Sequence, residues 1–435
     1  MDIAPIINQL LINCNKKVIT MHVKNYKSLM IRLTFVLSLL FQSTIFAQDQ
    51  KDSLVVASLP QQNIVPINVS FDKGLKFATN DDAFSMNLRF RIQTRFGFSE
   101  LEDGESWVFT GLEARVRRAR LRLDGHLINK KLEYHIQLSF SRGDMDWDNS
   151  GVPNVLRDAY CTYKISPKFE LVFGQTKLPG NRQRVVSSGD QQFVDRSIVN
   201  ATYNIDRDFL LMLKHSGKLG IDYILKGALS GGEGRNSNVG NGGACYSGRV
   251  ELLPFGKFTD GGDYFESDLA RESTPKLSLA SGASFNDQAT RTAGQLGKEL
   301  INPTGISVYH ADMLFKFRGI SAYAEFMKRT TTNAFPEITN SKLYVHAGYG
   351  FMSQLGYLWQ NNFELAFRYA SVVPDKVIYS QAPKLEEWTL CASKYFRKHN
   401  VKLQSDLTYG TSQNMVNKSF HSVGFTYRLQ LQLAI

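Results

Sequence analysis

The sequence predicts an all-β fold: a transmembrane antiparallel β-barrel of about 16 strands, with long outer loops and short periplasmic turns. Three observations carry this. Apolar and polar residues alternate strictly over stretches longer than the five or six residues usual in soluble sheets. Such stretches recur to the last residue of the chain. The connections between them alternate between long and short, as barrels that cross an outer membrane require. The composition agrees. Of 435 residues, 43% are hydrophobic and 21% charged, with 29 Phe and 18 Tyr. That is too apolar and aromatic for a disordered chain, yet no apolar run is long enough for a spanning helix.

The first element is a leader. Arg32 precedes the apolar stretch Leu33–Phe41, which is too short to cross a bilayer, and Gln42-Ser-Thr-Ile-Phe-Ala47 leads into polar Gln48-Asp49-Gln50. A basic start, a short apolar centre and a small residue at the cut mark a secretory signal over 1–47, with cleavage expected after Ala47. The stretch before it is unusually long, so Met21 and Met30 are alternative starts; an N-terminal membrane anchor is the competing reading. Cys14 leaves with the leader. Cys161, Cys245 and Cys391 remain, an odd number without metal-ligand spacing, which argues against a disulfide framework or a zinc site. Residues 48–83 have little pattern and are expected to be a periplasmic lead-in.

The barrel is expected from 84 to 435. Phe84, Met86, Leu88, Phe90, Ile92, Thr94, Phe96 and Phe98 share one parity, while Ser85, Asn87, Arg89, Arg91, Gln93 and Arg95 fill the other. The C-terminus repeats the code, with Val423, Phe425, Tyr427, Leu429, Leu431, Leu433 and Ile435 against Gly424, Thr426, Arg428, Gln430, Gln432 and Ala434. Between them the expected strands are 115–127, 132–141, 156–165, 168–175, 208–216, 220–229, 244–253, 276–286, 307–318, 320–330, 341–357, 361–372, 385–396 and 400–411. Lipid outside and water inside is the simplest setting that demands such two-faced strands. Long connections fall at 99–114, 142–155, 176–207, 230–243, 287–306, 331–340, 373–384 and 412–419. The link 254–275 is the one long member of the short set.

The inward faces of the first two strands are basic. Arg89, Arg91 and Arg95 point into the lumen from strand one. If Ala119, Leu121 and Leu123 face lipid, Arg118, Arg120 and Arg122 face water from strand two. Arg117 then falls on the lipid parity and is expected near the headgroups. A guanidinium is always charged and its planar fork suits phosphate and carboxylate oxygens, so this ladder points to an anion pathway. The alternative is a structural network in which the arginines pair with lumenal acids such as Asp124, Glu133 and Asp158. The longest loop, 176–207, is expected to fold inward and narrow the lumen, with Lys177, Arg182 and Arg184 as binding residues at the constriction; a plain surface loop is the alternative.

Three motifs together resemble the phosphate-selective porin O and P family: Arg117-Arg-Ala-Arg-Leu121, Leu156-Arg-Asp-Ala-Tyr160 and Phe173-Gly-Gln-x-Lys-x-Pro179. Gly262-Asp-Tyr-Phe-Glu266 with Thr274-Pro-Lys276 resembles the long link of Bacteroidetes-type members. The resemblance covers roughly 84–435. It implies a 16-stranded barrel, often trimeric, with an arginine-lined pore and an inward-folding third loop.

Other chemistry is poorly supported. Asp144-Met-Asp-Trp-Asp148 opens like a calcium loop, but Asn149 stands where the turn glycine belongs and Val155 where the bidentate Glu belongs. GxSxG, HExxH and Gly-rich phosphate-loop motifs are lacking, and Ser139 with His135 on one strand face is a weak start for catalysis, so an enzyme is not expected. The formal net charge of +11 could suit nucleic acid, but a secreted barrel has no ordinary route to it. The expected function is an outer-membrane porin for passive diffusion of small solutes, with a preference for anions such as phosphate or polyphosphate and no cofactor. Its surroundings are outer-membrane lipid and lipopolysaccharide, and its expected assembly is a homotrimer. The competing function is a non-conducting barrel that serves as a surface or adhesion scaffold.

Overall fold

The computed structural model describes residues 67–71, 74–103, 106–145, 151–237, 243–337 and 343–435. The leader assigned to 1–47 and the start of the lead-in lie outside the described residues. Strands β1 (Ile67–Phe71) and β2 (Leu75–Thr79) form a hairpin. Sixteen strands follow: β3 (Phe84–Asp103), β4 (Ser106–Leu127), β5 (Leu132–Ser139), β6 (Leu156–Lys164), β7 (Phe169–Lys177), β8 (Arg207–Leu219), β9 (Ile221–Ser230) and β10 (Cys245–Leu253), then β11 (Lys276–Arg291), β12 (Glu299–Phe317), β13 (Ile320–Thr331), β14 (Gly348–Leu358), β15 (Phe363–Pro374), β16 (Lys384–Arg397), β17 (Val401–Gln413) and β18 (Phe420–Ala434). Each is antiparallel to its neighbours in sequence. The last strand returns to β3, from Gly424 opposite Leu101 to Ala434 opposite Arg91, and closes a 16-strand barrel. The hairpin pairs with the start of β3, from Leu75 opposite Leu88 to Ala78 opposite Ser85, on the edge below the point where β18 ends.

Alternation along the strands separates lipid from lumen. On β3, Phe90, Ile92, Phe96 and Phe98 are exposed outside, while Gln93 and Arg95 are buried inside; on β17, Leu403 and Leu407 oppose Lys402, Gln404 and Asp406. An aromatic row crosses the exterior of β15–β18 to β4 through Tyr369, Trp388, Tyr409, Phe425 and Trp107, each ring 5.0–5.7 Å from the next. Such rings suit the headgroup level, where one side of the residue is apolar and the other wet.

Three expected boundaries are corrected. Residues 99–103 and 106–114 are strand rather than loop, because β3 continues past the lipid to Asp103 and β4 begins at Ser106. Likewise β11 and β12 extend through most of 287–306, with register shifts that absorb Pro303 and Gly305. Beyond the lipid both strand faces are wet, so the two-residue code fades while the hydrogen-bonded ladder persists. Conversely, β14 begins at Gly348, not 341. Val345 donates its amide to Ala334 within the loop instead of joining the ladder.

Candidate functional site

We call the rim that carries Phe84, Ala434 and the short turns the lower rim. Two connections enter the lumen. From the upper rim comes 178–206, which includes helices α1 (Arg182–Val185) and α2 (Ile198–Tyr203). Ionic and amide anchors hold it across the barrel. Arg182 donates to Asp312 at 2.6 Å and pairs with Glu251 at 3.4 Å. Arg91 reaches Ser187 and Ser188. Gln192 donates to Ser321 at 2.8 Å and Glu364 at 2.7 Å. Asp195 meets Arg95, Arg117 and Arg118 at 3.0–3.6 Å. Burial opposes ionisation of Asp195, but Arg117, Arg118 and Arg95 outweigh it and hold its carboxyl well below the usual range. Two glycines permit the close approach: a Cβ on Gly189 would overlap the Arg91 guanidinium, and one on Gly356 would overlap the Gln192 amide.

The second segment, 254–275, enters from the lower rim between β10 and β11. Sequence gave its length but not its place. The Glu266 carboxylate accepts from the Gln192 backbone N–H at 2.9 Å, and Lys316 donates to the carbonyls of Gly262 and Ser267. Tyr264 bonds Lys226 at 2.6 Å and Glu251 at 2.8 Å. Phe265 stacks on His399 of the β16–β17 turn, 5.5 Å between centroids and 19° apart. The two segments therefore pack against each other and against β9–β17, with further anchors of the first on β3 and β4.

Two chambers lie along β3–β8. The upper one, about 400 Å³, reaches Arg235 and Leu296 near the upper rim; the lower one, about 350 Å³, is floored by Tyr264 and Phe265. Arg120, Arg157, Arg184 and Arg196 border both and form the neck between them. Together the chambers are lined by eleven basic and five acidic side chains. Some arginines are neutralised locally. Arg207 is bidentate to Asp158, Arg184 pairs with Asp206, and Arg120 and Arg157 share Asp144. Burial opposes ionisation of Asp144 too, and Arg120 and Arg157 hold it well below the usual range. Lys177 and Arg196 differ. Lys177 donates to the carbonyls of Val185 and Val186, and Arg196 to those of Gln183 and Val186. Among the described residues, neither has a carboxylate at ion-pair distance.

Two β-bulges shape this wall. Arg118 pairs with Gln93 and Val116 with Thr94, so Arg117 is an extra residue in β4; Asp158 pairs with Gln137 and Leu156 with Leu138, so Arg157 is extra in β6. A bulge re-aims a side chain that parity would send outward. This corrects the expected headgroup position of Arg117, whose guanidinium instead lies 3.6 Å from lumenal Asp195.

The residues singled out from sequence therefore divide. Arg118, Arg120, Arg122, Lys177 and Arg184 line the chambers. Arg89 pairs with Asp124, Arg91 holds the inserted loop, and Arg95 pairs with Asp195 and Glu113. Arg182, 1% exposed, is an anchor on the opposite wall. The anticipated pairing of the ladder arginines with lumenal acids is present at Asp124, which meets Arg89 and Arg122, while Asp158 pairs with Arg207 and Glu133 with Lys164. Arg157, Arg196, Arg207, Arg235 and Arg428 were missed. Arg196 lies in the long loop and Arg207 just after it, and Arg157 belongs to the Leu156–Tyr160 motif, but bulges leave no mark in parity. Of the calcium-like stretch, 146–148 lie outside the described residues, and Asp144 is occupied by arginines.

The phosphate-selective porin O and P family model matches residues 86–433. No curated protein matches the sequence. Solved structures match the fold. The outer membrane channel DcaP of Acinetobacter baumannii aligns with 12% identity and a TM-score of 0.52, over 82% of this chain and 99% of that one. An anion-selective porin from Comamonas acidovorans aligns with 13% identity and a TM-score of 0.51, over 81% and 100%. OprB of Pseudomonas putida aligns with 10% identity and a TM-score of 0.50, over 82% and 95%.

Proposed function

The chain belongs to the phosphate-selective porin O and P family, and from that premise we propose that it gives small anions, phosphate first among them, a passive path across the bacterial outer membrane. The excess of basic over acidic side chains around the two chambers carries this reading. Fixed cations raise the local anion concentration, and their N–H groups replace part of the hydration shell. Pairing within the wall tempers the attraction, so that a bound anion leaves again. Arg196 at the neck and Lys177 in the lower chamber are the cations that, among the described residues, have no carboxylate at ion-pair distance. Binding in this reading involves Arg118, Arg120, Arg122, Lys177 and Arg184 with the bulge arginines. Arg89, Arg91, Arg95 and Arg182 act by fixing the wall and the inserted loop. A homotrimer and export through the 1–47 leader belong to the same proposal.

Planar-bilayer recording tests it. The reading expects an anion-directed reversal potential in a potassium chloride gradient and block of chloride current by phosphate. A cation-directed potential would overturn the anion preference. Silence from correctly folded barrels would favour the scaffold.

A further inference from the structure

The lower chamber contains more than charge. The lumen of such a barrel is normally lined by polar residues, yet Phe265, on the inserted lower-rim segment, borders this arginine-rich space half-buried. Its ring stacks on His399, and Phe265 is also part of the chamber lining. It has company. Tyr264, beside it on the lower-rim segment, and the stacked pair His135 and Tyr160 on β5 and β6, 4.9 Å and 15° apart, line the same space. Arg122, Arg157 and Lys177 border it as well. Its volume of about 350 Å³ lies in the range of small organic ligand sites, and a bare inorganic anion makes no use of aromatic walls. Guanidinium groups hold oxyanions, while ring faces and edges attract flat apolar bodies.

We propose that the lower chamber selects oxyanions carried on a flat ring, with Phe265 and Tyr160 as the residues that recognise the ring; this rests on the anion passage proposed above. The segment 254–275 then has a function: it brings an aromatic floor to the inner end of the cationic passage. The ordinary alternative is that Phe265 only anchors that segment on His399.

The experiment compares block of chloride current through the full-length protein by phenyl phosphate, methyl phosphate and inorganic phosphate. Phenyl phosphate should block at a concentration about two- to tenfold lower than methyl phosphate, the scale of one aromatic contact. Phe265→Ala and Phe265→Leu should each erase most of that ratio while methyl phosphate and phosphate block as before. The leucine keeps apolar bulk against His399, so it serves if the alanine variant fails to assemble; Tyr160→Leu is a second variant outside the segment. Equal block by phenyl and methyl phosphate would overturn the inference and leave the anion passage standing. So would a ratio unchanged in the Phe265→Leu and Tyr160→Leu variants, which would reduce Phe265 to an anchor. A channel that no phosphate blocks and that lacks anion preference would remove the underlying reading as well.

Discussion

Replacing Asp312 with Asn should loosen the inserted loop while leaving the barrel closed. The Asp312 carboxylate, its side chain wholly buried, accepts from Arg182 Nε at 2.6 Å and from Arg249 Nη1 and Nη2 at 2.7 and 3.1 Å. Asn keeps the shape and removes the charge. Two buried guanidinium groups would then share Glu251, which already pairs with Lys226. Breaking a buried pair from one side costs about 3–5 kcal/mol, because the remaining charge stays desolvated. At about 1.4 kcal/mol per decade, docking of the loop's first half weakens by a factor of roughly 150 to 5,000. Gln192 and Asp195 still hold the second half, so the loss is local. The measurement is hydrogen exchange by mass spectrometry in micelles. The Gln183 amide, bonded to Glu325, and the Val186 amide, bonded to Arg182, should lose protection, whereas β12 amides should not. Arg115→Gln, at an exposed pair with Glu113, should cost under about 1 kcal/mol. If Asp312→Asn also costs less than that, the pair is solvated and the anchoring argument fails.

Lys177→Gln removes a lower-chamber cation that has no carboxylate at ion-pair distance among the described residues, so phosphate block should weaken about tenfold, within the about 1–4 kcal/mol that a unit charge exerts at contact between water-like and surface-like dielectric; an unchanged blocking constant would remove Lys177 from the path. Acid should loosen the floor. Burial lowers the proton affinity of His399 first, and Lys402, Lys316 and Arg91 lower it further, well below the ordinary 6.5. A base depressed in the folded state contributes fully above its unfolded pKa, and that contribution is lost as pH falls below about 6.5 toward the folded value. Conductance should therefore rise or become noisier between about pH 7 and 5, and His399→Phe should abolish the step; an identical profile in that variant would refute the assignment. Leu407, exposed at the centre of β17, should tolerate Arg poorly, at about 2–4 kcal/mol in lipid, measured by reversible unfolding in bilayers, and a cost near zero would place that face outside the membrane core.

Legibility followed the strength of the physical constraint. Lipid on one side and water on the other force a two-residue code, so all 16 barrel strands could be located from Phe84 to Ala434. Where both faces are wet, as in the β3–β4 hairpin, the code had nothing to enforce and the boundary was misjudged. The inserted segments obey tertiary rules instead. Arg182 and Lys177 are both cations near one loop, yet one ends against Asp312 and the other in the wall of the lower chamber. Their sequence separation says nothing of this, because the partners lie on strands far along the chain. The aromatic floor was visible only as a motif, Gly262 to Glu266, whose position in the lumen depends on the docking of Glu266 with Gln192 and Phe265 with His399.

The bulges give the sharpest test of how register and charge combine here. Arg117 has no partner of its own on β3, since its neighbours Val116 and Arg118 face consecutive residues Thr94 and Gln93. Deleting Arg117 should therefore join two ladders that are already in register. Val116 stays outside, Arg118 stays inside, and the upper chamber loses one cation. Deleting Leu121, which pairs with Phe90 and Leu138, must instead shift one half of β4 by a residue and send its charges to lipid. At about 2–4 kcal/mol for each guanidinium near the midplane, two of Arg118, Arg120 and Arg122 misplaced would exceed what one strand can absorb. In a heat-modifiability assay on refolded protein, the Arg117 deletion should migrate as a folded barrel and the Leu121 deletion should not. Equal failure of both would show that the bend imposed by the bulge, not only the inward turn of its arginine, is required to close the wall around the passage.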